Sequence, residues 1–477
     1  MSQTSIHTAS GKSPPRLPSK RMLLPLLVAL LAAGCSTVQV SQPGAPHATA
    51  MSPAFASAAE LARMDASLSG QAKQDNAQRI ERLLAGLDDA TLAREAAALP
   101  AGEPLYNFAG RALLNRGLPL PRPFDRGGNW RFDAGNRPPA DNDGYRPPQK
   151  LAVLLPLTGS LATAAAPVRD GLLTGYYGEH RRRPEIVFYD TAGTSGGAIA
   201  AYGNAVAAGA DYVLGPLGRD EVSAVFRSQL TVPVLALNRG NVTPPGGSAS
   251  FSLAPEDDGI AAAEFLLARN ARRILVLSDD DDSMRRAVNA FREQLLSRGG
   301  SVTDTFTVAD KPGDMAAALQ AAAQKEGGVD GVFLALKASQ ARTLAPQLAL
   351  AGLGVKPRVA TSQMAVGVDG SAEDRALDGI AFPSEGWSGR GVSGLPSMAS
   401  AGKTMATARG PAAKLFAFGY DAWLLTAYLE RLATRADGNV QGATGTLRID
   451  GFGNVVRTPA WSTFSGGSAV PLGNDSR

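Results

Sequence analysis

Cysteine and histidine are nearly missing from this chain of 477 residues, which holds Cys35 and three histidines, His7, His47 and His180. One thiol excludes an internal disulfide framework, and so few sulfur and imidazole ligands leave no zinc-type set, so no metal is expected. The scarcity of histidine also removes the commonest general base. Charge of one sign is lacking too: the formal net charge is +4, with the basic residues scattered. Nucleic-acid binders show a dense basic face, so no nucleic-acid partner is expected. No GxGxxG motif follows any apolar run, which leaves a dinucleotide without support, and no cofactor is expected. Long hydrophobic runs are lacking as well. The longest, MLLPLLVALLAAG at 22–34, is too short to span a bilayer.

That run reads instead as a secretory signal over residues 1–34. Arg16, Lys20 and Arg21 form a positive n-region, a short apolar h-region follows, and Ala32-Ala33-Gly34 precede the cysteine. The pattern resembles a bacterial lipoprotein signal, in which cleavage leaves Cys35 as the lipid-bearing first residue. Ala32 stands where Leu is usual, and Ser36, not Asp, fits outer-membrane sorting. An ordinary secretory signal or a buried free Cys is the alternative. The polar Gln/Pro/Ser stretch that follows favours the anchor.

Residues 35–56 read as a flexible tether with Pro43, Pro46 and Pro53. From 57 to 118 the pattern is helical. Ile80, Leu83, Leu84 and Leu87 fall at i, i+3, i+4 and i+7, and about three helices are expected, few for a self-sufficient domain. Residues 119–149 are rich in Pro, Gly, Arg and Asp without apolar period, and read as a disordered linker. About 30 such residues, extended, would reach on the order of 90 Å.

From Lys150 to 467, near-continuous apolar runs such as LAVLLPL, DYVLGPL and GVFLALK alternate with helix-length segments. That is the mark of βαβ units and of parallel sheets covered on both faces. Nine such runs fit two doubly wound lobes: lobe 1 at about 150–252 and 386–455, lobe 2 at about 253–385 with the tail. Residues from Trp387 to Gly410 read as a long loop, AAKLFAFGYDAWLLTAYLERLATRA as a helix, GTLRIDGFGNVVRTPAW as a hairpin, and 468–477 as a flexible tail.

Three motifs suggest chemistry and fail. Gly193-Thr194-Ser195-Gly196-Gly197 matches the hydrolase GxSxG, but no histidine follows Ser195. Gly402-Lys403-Thr404 has the end of a phosphate loop without its leading strand or first glycine. Asp279 to Asp282 lack EF-hand spacing and are expected to cap a helix over 283–298. An inter-lobe cleft remains, at the carboxyl ends of the strands. Thr158, Gly159, Ser160, Asp190, Thr191, Gly215, Pro216, Leu217, Asn238 and Arg239 line it from lobe 1, and Ser278, Asp279, Lys337, Thr361, Ser362 and Gln363 from lobe 2. The first set suits a carboxylate or amide. No nucleophile is paired with a base, so binding outranks catalysis. The same residues also fit plain loops around an empty cleft.

KLAVLLPLTGSLATAAAPVRDGLLTGYY, YVLGPLGRDEVSAV and VPVLALN resemble the type I periplasmic-binding fold of amino-acid receptors. LFAFGYDAWLLTAYLERL and GATGTLRIDGFGNVVRTPAWSTFSGG resemble the penicillin-binding protein activator lipoproteins of the LppC/LpoA type. The resemblance implies a non-enzymatic lipoprotein, lipid-anchored in the outer membrane and facing the periplasm. It would stimulate a class A penicillin-binding protein, a peptidoglycan synthase, by direct contact. Longer members carry a large helical-repeat domain where this chain has a short module. A small-molecule receptor feeding a transporter or sensor, with an amino acid or peptide as ligand, is the alternative.

Overall fold

A computed structural model describes residues 51–126, 137–366, 368, 370–389 and 391–473. Cys35, the predicted signal and the first part of the tether lie outside the described residues.

Four helices, not three, open the described chain: α1 Pro53–Asp65, α2 Gly70–Ala85, α3 Asp89–Ala98 and α4 Leu105–Asn115. The first starts inside the predicted tether. Ser52 caps it, its hydroxyl accepting from the N–H of Phe55, and Pro53 sits at the first helical position, where its missing N–H costs nothing. Ile80 and Leu84 of the predicted stripe are fully buried with Phe55, Leu92, Tyr106 and Leu113, while Leu83 and Leu87 pack at the margin.

The first lobe is a parallel sheet of β1 Lys150–Leu155, β2 Glu185–Asp190, β3 Tyr212–Leu214, β4 Val234–Ala236 and β5 Ala249–Ser250, in the order β2-β1-β3-β4-β5. Helices α5 Ala162–Gly178, α6 Ser195–Ala207 and α7 Arg219–Arg227 connect them. The second lobe begins with α8 Pro255–Leu267 and carries β6 Arg273–Ser278, β7 Ser301–Thr307, β8 Gly331–Ala335, β9 Arg358–Ala360 and β10 Ile380–Ser384. Its other helices are α9 Asp282–Ser297, α10 Ala316–Ala323 and α11 Ala338–Leu350.

The chain then returns to lobe 1 through short α12 Gly386–Gly389 and α13 Met398–Thr404, where a long loop was expected. Trp387 is buried there against Phe416, which keeps the segment packed. Helix α14 Ala413–Thr434 follows, buried nearly all round against α5. Strands β11 Val440–Gln441, β12 Thr446–Ile449 and β13 Val455–Thr458 form a small antiparallel sheet, whose turn is the expected Asp450–Asn454. The chain crosses again: β14 Ala460–Ser465 adds antiparallel to β10 and β15 Ser468–Pro471 antiparallel to β14, giving the order β15-β14-β10-β9-β8-β6-β7. Residues 468–471 are thus a strand, not a flexible tail. Gly466 and Gly467, both at positive φ, make the turn, and the Asp378 carboxylate holds their N–H groups.

The predicted linker also needs correcting. Its described parts have no helix or strand, yet they are packed. Phe124 enters the core of the helical module, and Arg126 donates to the carbonyl of Ala433. Tyr145 is 1 % exposed and donates to the Arg182 carbonyl at 2.7 Å. Arg146 is buried and paired with Glu430 at 2.7 Å. Aromatic and guanidinium side chains every few residues give this Pro-rich stretch the burial that its missing periodicity concealed. Its described parts therefore do not act as a 90 Å spacer.

The hairpin turn explains how so small a module persists. Phe452 packs edge-on against Phe108 at 4.7 Å, with the Arg111 guanidinium 4.4 Å from its ring. On another side Asp89 takes Arg116 of the module and Arg298 of lobe 2, each at 3.0 Å. Phe452→Ala should cost about 2 kcal/mol and speed amide exchange in α4 well before exchange in β1. Equal protection of α4 in both proteins would refute this coupling.

Candidate functional site

The carboxyl ends of the lobe 1 strands do gather the predicted residues. Gly159 stands at φ 82°, and a Cβ there would press on the Ala192 carbonyl at 2.7 Å, so the turn needs glycine. Across from it Asp190 accepts from the N–H groups of Leu157 at 2.9 Å, Thr158 at 3.2 Å and Ala192 at 2.8 Å, and from the Thr158 hydroxyl at 2.6 Å. The Thr158 hydroxyl and these N–H groups hold its carboxyl below the usual range. Of the donors that the sequence offered to a ligand at this turn, both of Thr158 are thus spent on the protein's own carboxylate. Ser160 is exposed beside them, and Thr191 is buried beneath.

Gly215 and Pro216 are joined by a cis peptide, and the Leu217 carbonyl accepts from Asn238 at 2.9 Å. The next N–H, of Gly218, goes to Glu221 at 2.6 Å. Ser195 begins α6, and its hydroxyl reaches the Asp220 carbonyl at 3.3 Å, with no histidine partner.

In lobe 2, Asp279 departs from its expected capping role. Asp281 caps α9, accepting from the Ser283 N–H at 2.8 Å. Asp279 turns inward instead, to the Gln340 amide at 2.8 Å and the Lys337 ammonium at 3.2 Å, and Lys337 also meets Asp310 at 2.8 Å. Burial would raise the Asp279 carboxyl, but the Asp281 N–H, Gln340 and Lys337 outweigh it and hold it low. The Ser278 hydroxyl donates to the Asp279 carbonyl at 2.8 Å. Among the described residues no hydrogen bond or ion pair joins this set to the lobe 1 set. Each closes on itself.

What ties the lobes lies nearby: Arg239 and Ser362 were expected at the cleft, but their carboxylate partners on α8 escaped sequence reasoning. The first turn of α8 presents three consecutive carboxylates, each facing a different cation. Glu256 takes Arg286 of α9 through two bonds of 2.8 Å. Asp257 takes Arg239 of lobe 1 in a two-bond pair of 2.9 and 3.2 Å. Asp258 accepts from the N–H of Ser362 at 2.9 Å and its hydroxyl at 2.5 Å, with Arg457 at 3.6 Å. Lys414 of α14 reaches the same Ser362 hydroxyl at 2.5 Å. The Asp257 charge leads in raising the pKa of Arg239. Carboxylates at a helix N-terminus are ordinary, so PEDDG by itself signals only a helix start. Its partners come from 18 to about 200 residues away.

The arrangement can tie the two lobes together; the Ser362 hydroxyl lies between the Asp258 carboxylate and the Lys414 ammonium and is engaged by both. A cavity of about 350 Å³ borders this set, lined by Asp257 and Arg457 where α4 meets α8 and β13–β14, and another of about 340 Å³ opens on the outer face of lobe 2. Among the described residues no cluster of three Asp, Glu, His or Cys could hold a metal, and no helix is long and apolar enough to cross a membrane.

Two parallel-sheet lobes joined by three crossings are the frame of the type I periplasmic-binding proteins, and solved structures agree. Full-length LpoA from Haemophilus influenzae superposes with a TM-score of 0.59 at 18% identity, covering 88% of this chain and 78% of that one. A putative branched-chain amino acid ABC transporter protein from Chromobacterium violaceum superposes with a TM-score of 0.53 at 27% identity, covering 66% of this chain and 99% of that one. Residues 144–467 match the family model of the LppC putative lipoproteins, and the chain belongs to that family. Among curated relatives, the penicillin-binding protein activator LpoA of Photobacterium profundum is 27% identical over 358 residues, 67% of this chain and 56% of its own length. That of Mannheimia succiniciproducens is 26% identical over 337 residues, 68% of this chain and 55% of its own. The chain thus spans about half the length of these relatives.

Proposed function

We propose that this chain is a non-catalytic lipoprotein activator of a class A penicillin-binding protein. Anchored in the outer membrane through a lipid on Cys35, it faces the periplasm and regulates peptidoglycan synthesis by direct contact. The family match over residues 144–467, with relatives named as activators of penicillin-binding proteins, carries this reading. Lobes tied by the half-buried Asp257–Arg239 pair and by Asp258 support it, because an adaptor biases its partner's equilibrium by contact and needs no reacting groups of its own. With the class A synthase of the same organism, the purified protein should bind and raise the rate of glycan polymerisation several-fold. No binding and no change in rate would dismiss it. Cys35→Ser should move the protein from the outer-membrane fraction into the soluble periplasm, whereas retention in the membrane would refute the anchor.

The likeness to the putative amino-acid transporter protein favours a second reading, a small-molecule receptor. It requires a thermal shift with amino acids or peptides that weakens in Thr158→Ala and Ser160→Ala.

A further inference from the structure

The two most exposed large apolar side chains of the described residues lie close in the chain, at the end of α11 and in the loop after it. Leu350 is 80% and Val355 91% exposed. Val355 lines the 340 Å³ groove on the outer face of lobe 2 with Ala345, Pro346 and Ala349 of α11, Gly352 and Gly354 of the following loop, and Ala376, and Leu350 follows Ala349 at the end of α11. Single exposed apolar residues are ordinary, but Val355 set in a concave wall of small side chains, with Leu350 next in the chain to that wall's Ala349, forms a shaped apolar patch. Such a wall admits a side chain from outside, as interface anchors require.

The rim has a sign. Lys356 and Arg375 are exposed, and neither side chain has an ion pair or hydrogen bond among the described residues. Arg358, in the groove wall, donates to the Asp378 carbonyl at 2.7 Å, while its buried Nε has no hydrogen-bond partner. The carboxylates close by are mostly engaged: Asp374 with Arg342, Asp378 with the turn at Gly466 and Gly467. On the 3-10 turn Ala372–Leu377, Glu373 is the one exposed carboxylate. The patch therefore pairs an apolar centre with a surplus of positive charge.

We infer that this face of lobe 2 is the docking surface for the synthase, and that it takes a segment carrying an apolar anchor flanked by Asp or Glu. The inference rests on the activator reading above. The apolar anchor would fill the groove between Pro346 and Val355, and its flanking carboxylates would meet Lys356 and Arg375. Complementary charges at a rim speed association and set register more than they add affinity.

The test measures binding of the full-length protein to the class A synthase of the same organism, with the glycan-polymerisation rate read in parallel. Val355→Asp with Leu350→Asp should weaken binding at least tenfold and remove most stimulation. Melting temperature should stay unchanged, because both side chains are already in water. Lys356→Glu with Arg375→Glu should slow association and flatten its salt dependence. A photo-crosslinker at 355 should capture the synthase, and one at Tyr177, 67% exposed on lobe 1, should not. Wild-type binding that the Val355/Leu350 variant leaves intact would overturn this surface while the activator reading stands. Absence of wild-type binding would overturn both. A wild-type dimer that Val355→Asp dissociates would assign the groove to a second copy of the chain and also overturn the inference.

Discussion

Replacing Gly171 by valine is expected to abolish folding of the first lobe. Helices α5 and α14 approach so closely there that a Cβ on Gly171 would overlap the Phe416 carbonyl oxygen. Gly419 on the facing helix meets the Val168 carbonyl in the same way, and Gly175 lies under the Trp423 ring. At Gly171 and Gly419 the obstacle is helix backbone, which cannot rotate aside as a side chain does. Separating the helices would open the cluster of Leu172, Phe418, Trp423 and Leu425, all buried. The cost should exceed about 4 kcal/mol, more than most point changes and a large share of a domain's stability. Soluble yield and the near-ultraviolet dichroism of the buried Trp423 report it. A variant with wild-type melting would show that α5 and α14 do not touch. Gly203, on the open side of α6, is the control, because a Cβ there would meet nothing within 4 Å. Gly203→Ala should be neutral or slightly stabilising.

The second large effect is at Asp421. Its side chain is fully buried in α14 and accepts from the N–H of Ala443 at 2.5 Å, and from the N–H and hydroxyl of Thr444 at 2.8 and 2.6 Å. It thereby sets the start of the small sheet that carries Phe452 to the helical module and Arg457 to Asp258. Asp421→Asn turns an amide toward the Thr444 N–H and should cost about 2–3 kcal/mol. Burial pushes the Asp421 carboxyl up to about 7, against the pull of Thr444, Ala443 and Arg457. In the unfolded chain it titrates near 4, so the folded state holds the proton more tightly. This contribution is complete below about pH 4 and is lost as pH rises through 7. Between pH 6 and 8 the loss should be about 1 kcal/mol, absent from Asp421→Asn. Parallel stability-against-pH curves for the two proteins would refute the assignment.

Periodicity accounts for much of this protein. Alternating apolar runs and helix-length segments specify two parallel-sheet lobes, because a strand covered on both faces must be apolar throughout. LAVLLPL became β1, and the DGFGN turn closed β12 on β13 as its alternation requires. The cysteine and histidine shortage was equally legible, since counting residues needs no coordinates. Other features were hidden. Residues 137–149 show no period, yet Tyr145 and Arg146 bury themselves by single contacts with segments far along the chain. Ser468–Pro471 looks like a tail because a short edge strand gains its stability from the strand beside it. Thr158 and Asp190 were both named, but only their proximity reveals that one satisfies the other. Local pattern was enough for the class of fold and the lipoprotein signature, since both are written in short stretches of chain. Which charges meet at Asp257 and Asp258, and which surface stays uncovered around Val355, was settled only in three dimensions. Those features depend on residues brought together across long stretches of chain, where no local pattern records the distance.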